Sequence, residues 1–355
     1  MPSTVHESAA IRVELLGESS AAAAEWDRYV QAAPEASGYQ LTAWRTVIAR
    51  VFGHEAVYLV ARDERGEICG LLPLVVLSSR LFGRFMVSLP FFTYGGVLAT
   101  TEAVRSRLME AAVEEATKRG LSHIELRQQS RLETIWPSKD HKVSMRLALP
   151  TDPEALMKQY PSKLRSQIRR PQKEGMVAEV GGIGLLDEFY TVFARNMRDL
   201  GTPVYAKGFF QAILEAFPQD AAICVVRWKG QPVAAGFLYR FRQMMEIPWA
   251  SADRRYDRWS PNMLLYSTVL EYACRQGCQV FDFGRSSIDS GTYRFKAQWG
   301  AEPVPLHWYY WLKGGGPLPE LNPNNPKYKL AIGLWQQLPL SIANLIGPHV
   351  VKNLP

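Results

Sequence analysis

Ala222-Ile223-Cys224-Val225-Val226-Arg227, then Trp228–Pro232 with its Gly230, then Val233–Phe241 read in order as a strand, a turn and a returning strand. Met244–Ala250 reads as another strand. Pro261 opens a helix over Asn262–Arg275 that stops at Gly277, and Gln279–Phe283 closes the series as a strand. The same order runs through the first half. Ala56–Arg62, the charged turn Asp63–Glu67 and Ile68–Leu77 form a hairpin, and the aromatic, glycine-rich Leu89–Leu98 follows as the next strand. Thr101–Arg119 has helical periodicity and stops at Gly120, and Ser122–Arg127 closes as a strand. The likeness between halves lies in element order and not in residue identity. It predicts an α/β fold made of a duplicated unit, a mixed sheet flanked by helices in each half.

Pro150-Thr151-Asp152-Pro153 is a polar join, so domains are expected at 1–150 and 151–313. Gly314-Gly315-Gly316-Pro317 ends the second, leaving 314–355 as a proline-rich segment and a short C-terminal helical tail. Leu318–Lys329 should have little regular structure. Gly181-Gly182-Ile183-Gly184 lacks the Gly-Lys-Ser/Thr ending of a phosphate loop and reads as a linker.

Of 355 residues, 47% are hydrophobic and 21% charged, which places the chain among globular proteins. The net charge of +7 favours anionic partners: nucleotides, nucleic acid, CoA or an acidic lipid surface. The four cysteines form no disulfide framework, and the six histidines do not cluster, so no metal site is expected. No apolar run reaches the ~18–20 residues of a membrane span. Met1–Glu18 lacks the basic-then-apolar order of a signal peptide, so a cytoplasmic location is expected. Leu330–Val351 is apolar but interrupted by Gly333, Gln336, Gln337, Pro339, Asn344 and Pro348. It reads as helices packed on the body or resting peripherally at the inner membrane face.

The chemistry centres on Gly291-Thr292-Tyr293-Arg294-Phe295-Lys296-Ala297-Gln298-Trp299-Gly300. It follows Phe281-Asp282-Phe283-Gly284-Arg285-Ser286-Ser287, which reads as a strand ending in a glycine turn. A cation in a strand-end loop is placed to meet an anion or a developing oxyanion; the other reading is a turn lysine lying over aromatic surface. Arg285 and Ser286 follow a strand end, where ligands meet α/β sheets. Asn196, Arg198, Asp199 and Tyr205 form a polar loop around Gly201-Thr202-Pro203, either functional or a capped turn with an Arg198 ion pair. Glu246 precedes Pro248-Trp249 on an inner strand, as a general base or a paired core carboxylate. A basic helix over Glu154–Lys173 carries Lys163, Arg169, Arg170 and Lys173 on one broad face, fit for anion binding or simply solvated. Pro171 should kink or end it. No Gly-x-Ser-x-Gly elbow, His-Glu-x-x-His or strand-following Gly-x-Gly-x-x-Gly is present. A transferase that positions two substrates and stabilises a transition state needs none of them.

The helix from Pro261-Asn262, the strand Phe281–Gly284 and above all Tyr293–Gly300 make the second half resemble the Fem-type peptidyltransferases and related acyltransferases built on duplicated GNAT folds. Their Phe-Lys-x-x-Phe-Gly pattern is matched with Trp299 in place of the second Phe. Asn196–Pro203 and Glu246–Ser251 are similar to a FemAB-like bacterial subgroup associated with the exosortase/PEP-CTERM system and exopolysaccharide loci. The resemblance implies two tandem GNAT-like units, the first degenerate, and an acyltransferase or aminoacyltransferase acting on an amine or hydroxyl of a cell-envelope or exopolysaccharide precursor. It implies Phe295 and Lys296 at the transfer centre; from the residues themselves, and not from the resemblance, Glu246 is the candidate base. Tyr293, Arg285, Ser286, Arg198, Asn196, Tyr205 and Trp249 would bind substrate, and Lys163, Arg169 and Arg170 an anion. No permanently bound cofactor is implied; the donor co-substrate would be aminoacyl-tRNA or acyl-CoA, with an anionic precursor and tRNA as partners. Two departures weigh on the donor. The long helical-hairpin arm of several Fem enzymes is missing between Leu149 and Ala222, and neither crossover helix follows an Arg/Gln-x-x-Gly-x-Gly/Ala pyrophosphate motif. The rival reading is a non-catalytic protein that binds an anionic glycan or lipid precursor on a GNAT scaffold.

Overall fold

A computed structural model describes residues 11–79, 83–319 and 326–354. In chain order the elements are β1 (Arg12–Leu15), α1 (Ser20–Ala32), α2 (Ala43–Phe52), β2 (Ala56–Arg62), β3 (Ile68–Ser79), β4 (Gly83–Val87), β5 (Leu98–Ala99), α3 (Glu102–Lys118) and β6 (His123–Gln128). There follow β7 (Ser138–Ala148), α4 (Pro153–Gln159), α5 (Ser162–Lys173), β8 (Val177–Gly181), α6 (Leu186–Asp199), α7 (Lys207–Ala216), β9 (Ala221–Trp228), β10 (Gln231–Phe241) and β11 (Met244–Ala252). The last are α8 (Pro261–Arg275), β12 (Val280–Ser287), α9 (Gly291–Ala297), β13 (Glu302–Leu312), α10 (Pro326–Gln336) and α11 (Leu340–Val351).

The chain divides into two compact units. Among the described residues, one comprises 11–79 and 83–140 with 306–319, the other 141–305 with 326–354. Each is a mixed α/β unit. In the first, strands lie in the order β1-β2-β3-β4-β6-β13. All neighbours are antiparallel except β4 and β6, which are parallel. In the second, the order is β8-β9-β10-β11-β12-β7, antiparallel except for the parallel pair β11 and β12. The strand order and senses of the two units therefore repeat each other. Each takes its sixth strand from the other half of the sequence. β7 follows β6 in the chain but pairs with β12, and residues 306–312 of β13 follow β12 but pair with β6.

The hairpins form where alternating apolar residues flank turns. α3 starts on Thr101, whose side chain accepts from Val104 N, and it buries Val104, Leu108, Ala112 and Ala116 on one side. Those side chains cover β2, β3 and β6 through Val57, Leu72 and Ile124. α8 does the same in the second unit, burying Leu265, Val269 and Leu270 against Cys224, Val226 and Phe281. Both helices fall where the sequence placed them.

Several expectations are corrected. The strand that follows the first hairpin is β4, Gly83–Val87, and most of Leu89–Leu98 is irregular, with only Leu98–Ala99 bridged to β3. The basic helix is two helices, because Pro161 holds extended backbone between α4 and α5. Pro171 lies inside α5, which ends two residues later at Lys173. Gly181-Gly182-Ile183-Gly184 ends β8 and enters a short 3₁₀ turn, Ile183–Leu185, so it is part of the second unit's sheet edge and not a bare linker. α10 already begins at Pro326, inside the span expected to lack regular structure; residues 320–325 of that span, and the first ten residues of the leader expectation, lie outside the described residues. α1 and α2 precede the first recognised strand, and β7 and β13 complete the sheets.

Candidate functional site

The parallel pair β11 and β12 shares only three register positions, Met244–Val280, Met245–Phe281 and Glu246–Asp282. Beyond them β11 runs on to Ala252 and β12 to Ser287 without pairing to each other. The ladders on either side show an irregularity at the same level, where β10 pairs with β11 between Phe237 and Tyr239 and where β12 pairs with β7 between Asp282 and Arg285. Bulges turn a strand out of its ladder, and here they open the sheet at the carboxyl ends of two parallel strands. That is the place where α/β sheets accept ligands.

Gly284 is the residue that turns β12. Its φ of +75° suits only glycine without strain. Asp282, fully buried, fixes the turn: its carboxylate accepts from Gly284 N at 2.8 Å, from Arg146 Nε at 3.0 Å and from the hydroxyl of Ser144. A buried carboxylate with three donors is well satisfied. The turn points the carbonyls of Gly284 and Arg285 at Lys296. The Lys296 ammonium donates to them at 2.9 Å and 3.0 Å.

Lys296 does not sit in a loop, as the sequence reading expected. It lies on α9, which is capped by Ser290 accepting from Tyr293 N at 3.2 Å. The serine cap three residues ahead of Tyr293 is the signal that would have shown the helix. Lys296 is only 7% exposed. Burial lowers its pKa to about 8, while the carboxylates of Asp282 and Glu246 pull upward and Arg285 pushes down. At neutral pH it is mostly a cation. An ammonium has three donors; two go to the carbonyls.

A cavity of about 330 Å³ lies in the opened sheet. Ala250, Ser251 and Ala252 of β11 form one wall, and Gly291, Thr292, Phe295 and Lys296 of α9 another. Asn262 and Tyr266 of α8, Asn196 of α6, and Arg254 and Asp257 complete it. Asn196 donates to Ser251 Oγ at 3.1 Å. Phe295 packs edge-on to Tyr266, ring centres 5.0 Å apart. Burial raises the pKa of Asp257, an effect Arg254 opposes. In Asp253 next door burial acts upward too, but the hydrogen bonds from Arg255 outweigh it and hold that carboxyl below its ordinary value.

Of the residues singled out from the sequence, Lys296, Phe295 and Asn196 meet at this cavity. Glu246 is buried on β11, does not line the cavity, and reaches Lys296 through its charge. Arg285 is exposed on β12 and lends its carbonyl, and Ser286 beside it is buried with an unpartnered hydroxyl. Tyr293 packs against the core of the second unit. Trp249 and Tyr205 lie in an aromatic cluster with Phe209 and Phe210, away from the lining. Asn196, Arg198 and Asp199 belong to the last turn of α6 and not to a loop. Arg198 is bound to Asp199 at 2.7 Å and to the carbonyl of Leu338 at 2.8 Å, which makes it a tether for the tail. Lys163, Arg169 and Arg170 are exposed on α5, opposite its buried Leu164 and Ile168, and do not line the cavity. Sequence reading missed Ser251, Arg254, Asp257, Asn262 and Tyr266. The glycine inside the pattern Phe281–Ser287 was the signal for a bulge. Among the described residues no group of His, Cys, Asp or Glu could hold a metal, and the cysteines are free thiols.

Residues 160–297 match the family described as acetyltransferase (GNAT) domain, a span that ends one residue beyond Lys296. That span lies within the second unit, so the match is to a GNAT domain in that part of the chain. It is 25% identical over 150 residues to the UDP-N-acetylmuramoylpentapeptide-lysine N(6)-alanyltransferase of Weissella viridescens. That match spans 41% of this chain and 44% of the relative, so less than half of either. The crystal structure of FemX superposes with a TM-score of 0.63 at 14% identity, covering 90% of this chain and all of that one. A tandem GNAT protein from the clavulanic acid biosynthesis pathway gives 0.55 at 12% identity, covering 87% and 100%. At these identities the structural likenesses establish the fold, two tandem GNAT-like units.

Proposed function

We propose that this chain is an acyltransferase of the Fem/GNAT superfamily and that it transfers an aminoacyl group from an activated ester to an amine of a peptidoglycan precursor. The observation that carries the reading is Lys296, a buried ammonium fixed by two main-chain carbonyls at the wall of a cavity between splayed parallel strands. Aminolysis of an ester passes through an oxyanion as the amine bonds to the carbonyl carbon. Collapse expels the ribose oxygen, which takes up the proton that the amine loses. A preorganised cation that need not reorganise stabilises that oxyanion far better than water does. Phe295 and Tyr266 give the cavity an apolar side, and Asn196 with Ser251 a polar one. Glu246 and Asp282 act through Lys296 by keeping it protonated; Glu246 is thus a positioning residue in this reading.

The choice of an aminoacyl ester over acyl-CoA rests on α8. A CoA pyrophosphate needs free N–H groups at a helix start. Here Pro261 occupies the first position without an N–H, Met263 N is committed to the carbonyl of Ser260, and the Asp257 carboxyl lines the cavity. The exposed cations of α5 supply a surface for the phosphates of tRNA. The curated relative is an alanyltransferase acting on a muramoyl pentapeptide, which supports this donor and acceptor class. The subgroup likeness adds exopolysaccharide precursors as acceptors.

The test offers radiolabelled alanyl-tRNA or acetyl-CoA to the purified chain with a UDP-muramoyl pentapeptide or an amino-sugar acceptor. Transfer from alanyl-tRNA that Lys296→Ala abolishes is the expected result. Transfer from acetyl-CoA alone overturns the donor. Acceptor binding without turnover from either donor overturns the enzyme reading.

A further inference from the structure

We propose that the C-terminal helices α10 and α11 form a docking surface for an anionic lipid bilayer. α11 has two apolar faces. Ala343, Gly347 and Val351 recur every four residues and are buried, and Gly347 lies so close to Val204 that a Cβ would stand 2.8 Å from its backbone nitrogen. That face is spent on packing. Ile342, Leu345, Ile346 and Val350 make the other stripe at spacings of three and four, and Leu345 is 71% exposed. On α10, Leu330 and Leu334 lie four apart and are 67% and 59% exposed. A two-faced apolar helix in a folded chain is half satisfied by the protein and half open to an outside partner.

Charge selects the bilayer as that partner. From residue 321 to the last, the sequence holds no Asp or Glu but carries Lys327, Lys329, Lys352 and His349. Lys329 precedes Leu330 and Lys352 follows the exposed Val350, so cations flank the apolar side chains at both ends. Apolar residues flanked by lysine, without acids, are the pattern of a helix that lies in the interface of anionic lipids. At 12 residues, α11 is too short to cross, and no described helix is long and apolar enough to do so. The tail is also tied to the cavity. Arg198 and Asp199 bind the carbonyl of Leu338 and the side chain of Gln336, and Asn196 of the same helical turn lines the cavity. A bilayer under the tail would hold that cavity within a few residues of its surface, whatever reaction occurs there.

The full chain is sedimented at physiological salt with vesicles of phosphatidylcholine alone or with one quarter phosphatidylglycerol. Binding to the anionic vesicles is expected. It should fall at least tenfold in Leu330→Glu/Leu345→Glu, and Lys329→Gln/Lys352→Gln should remove the preference for phosphatidylglycerol. Leu330→Ala/Leu345→Ala, which adds no charge, should give an intermediate loss, and circular dichroism checks that each variant is folded. No sedimentation above the vesicle-free control overturns the proposal. So does binding that all the leucine variants retain, which would be charge attraction alone. Dimerisation abolished by the glutamates, with no vesicle binding, would instead assign the surface to a second copy of the chain.

Discussion

Replacing Lys296 by Met keeps the length and the apolar stem of the side chain and removes its charge. The consequence for stability depends on pH in a calculable way. Folding lowers the pKa of Lys296 from 10.5 to about 8, chiefly because the ammonium is taken out of water. Between those two values the unfolded chain binds more protons than the folded one. Stability of the wild type therefore rises with pH through that window, and the full difference corresponds to about 3 kcal/mol. From pH 7 to pH 9.5 about 2 kcal/mol of it should be realised. The Met variant lacks this gain, while tyrosines and cysteines that titrate in the same range are common to both chains and cancel. Urea unfolding of the two proteins at pH 7 and pH 9.5 measures it by linear extrapolation. A stability difference that stays the same at both pH values would refute the argument that Lys296 is charged and desolvated in the fold. The same variant should lose transfer activity at every pH.

Asp282→Asn should cost about 3 kcal/mol or more, because Arg146 loses a buried ionic partner, and a fall in Tm reports it. It should also shift Lys296 titration below about 8, since Asp282 now raises that pKa; the alkaline limb of the pH–rate profile would move to lower pH. Asn196→Ala should lower kcat/KM about tenfold with little change in Tm, because the cavity loses a donor while the helix keeps its packing. Gly347→Leu should free α11 from Val204 at a cost of about 1–3 kcal/mol, seen as early proteolytic cleavage of the tail from an otherwise folded chain.

The hairpins and both crossover helices were legible because their apolar residues repeat with period two or near four and end at glycines, as at Gly120 and Gly277. β13 was not. Pro303 and Pro305 mark its start, and its aromatic run His307–Leu312 has no alternation to read. β7 starts with Ser138-Lys139-Asp140-His141-Lys142, polar residues that look like a loop until a partner strand is known. The position of Lys296 in the chain was legible, but its setting was not. Burial, the two carbonyls and the helix all follow from the turn at Gly284, and that turn depends on Ser144 and Arg146, more than 130 residues away in sequence. The cavity residues were missed for the same reason, since α6, α8, α9 and β11 converge there only after the strands diverge. The tail helices could be read from sequence, and their exposed stripe could not, because it is defined by which face Val204 covers.

The sixth strands also order events during synthesis. β6 is complete at Gln128, but its partner residues His307–Leu312 are made some 180 residues later. At elongation rates of about 5–20 residues per second that interval is on the order of ten to forty seconds. For that time the nascent first sheet has an open ladder at β6, a template for wrong pairing. The second sheet has no such wait, because β7 is already made when β12 emerges. The later half of the chain should thus reach its fold first once translated, and the earlier half should close only when the last strand returns to it.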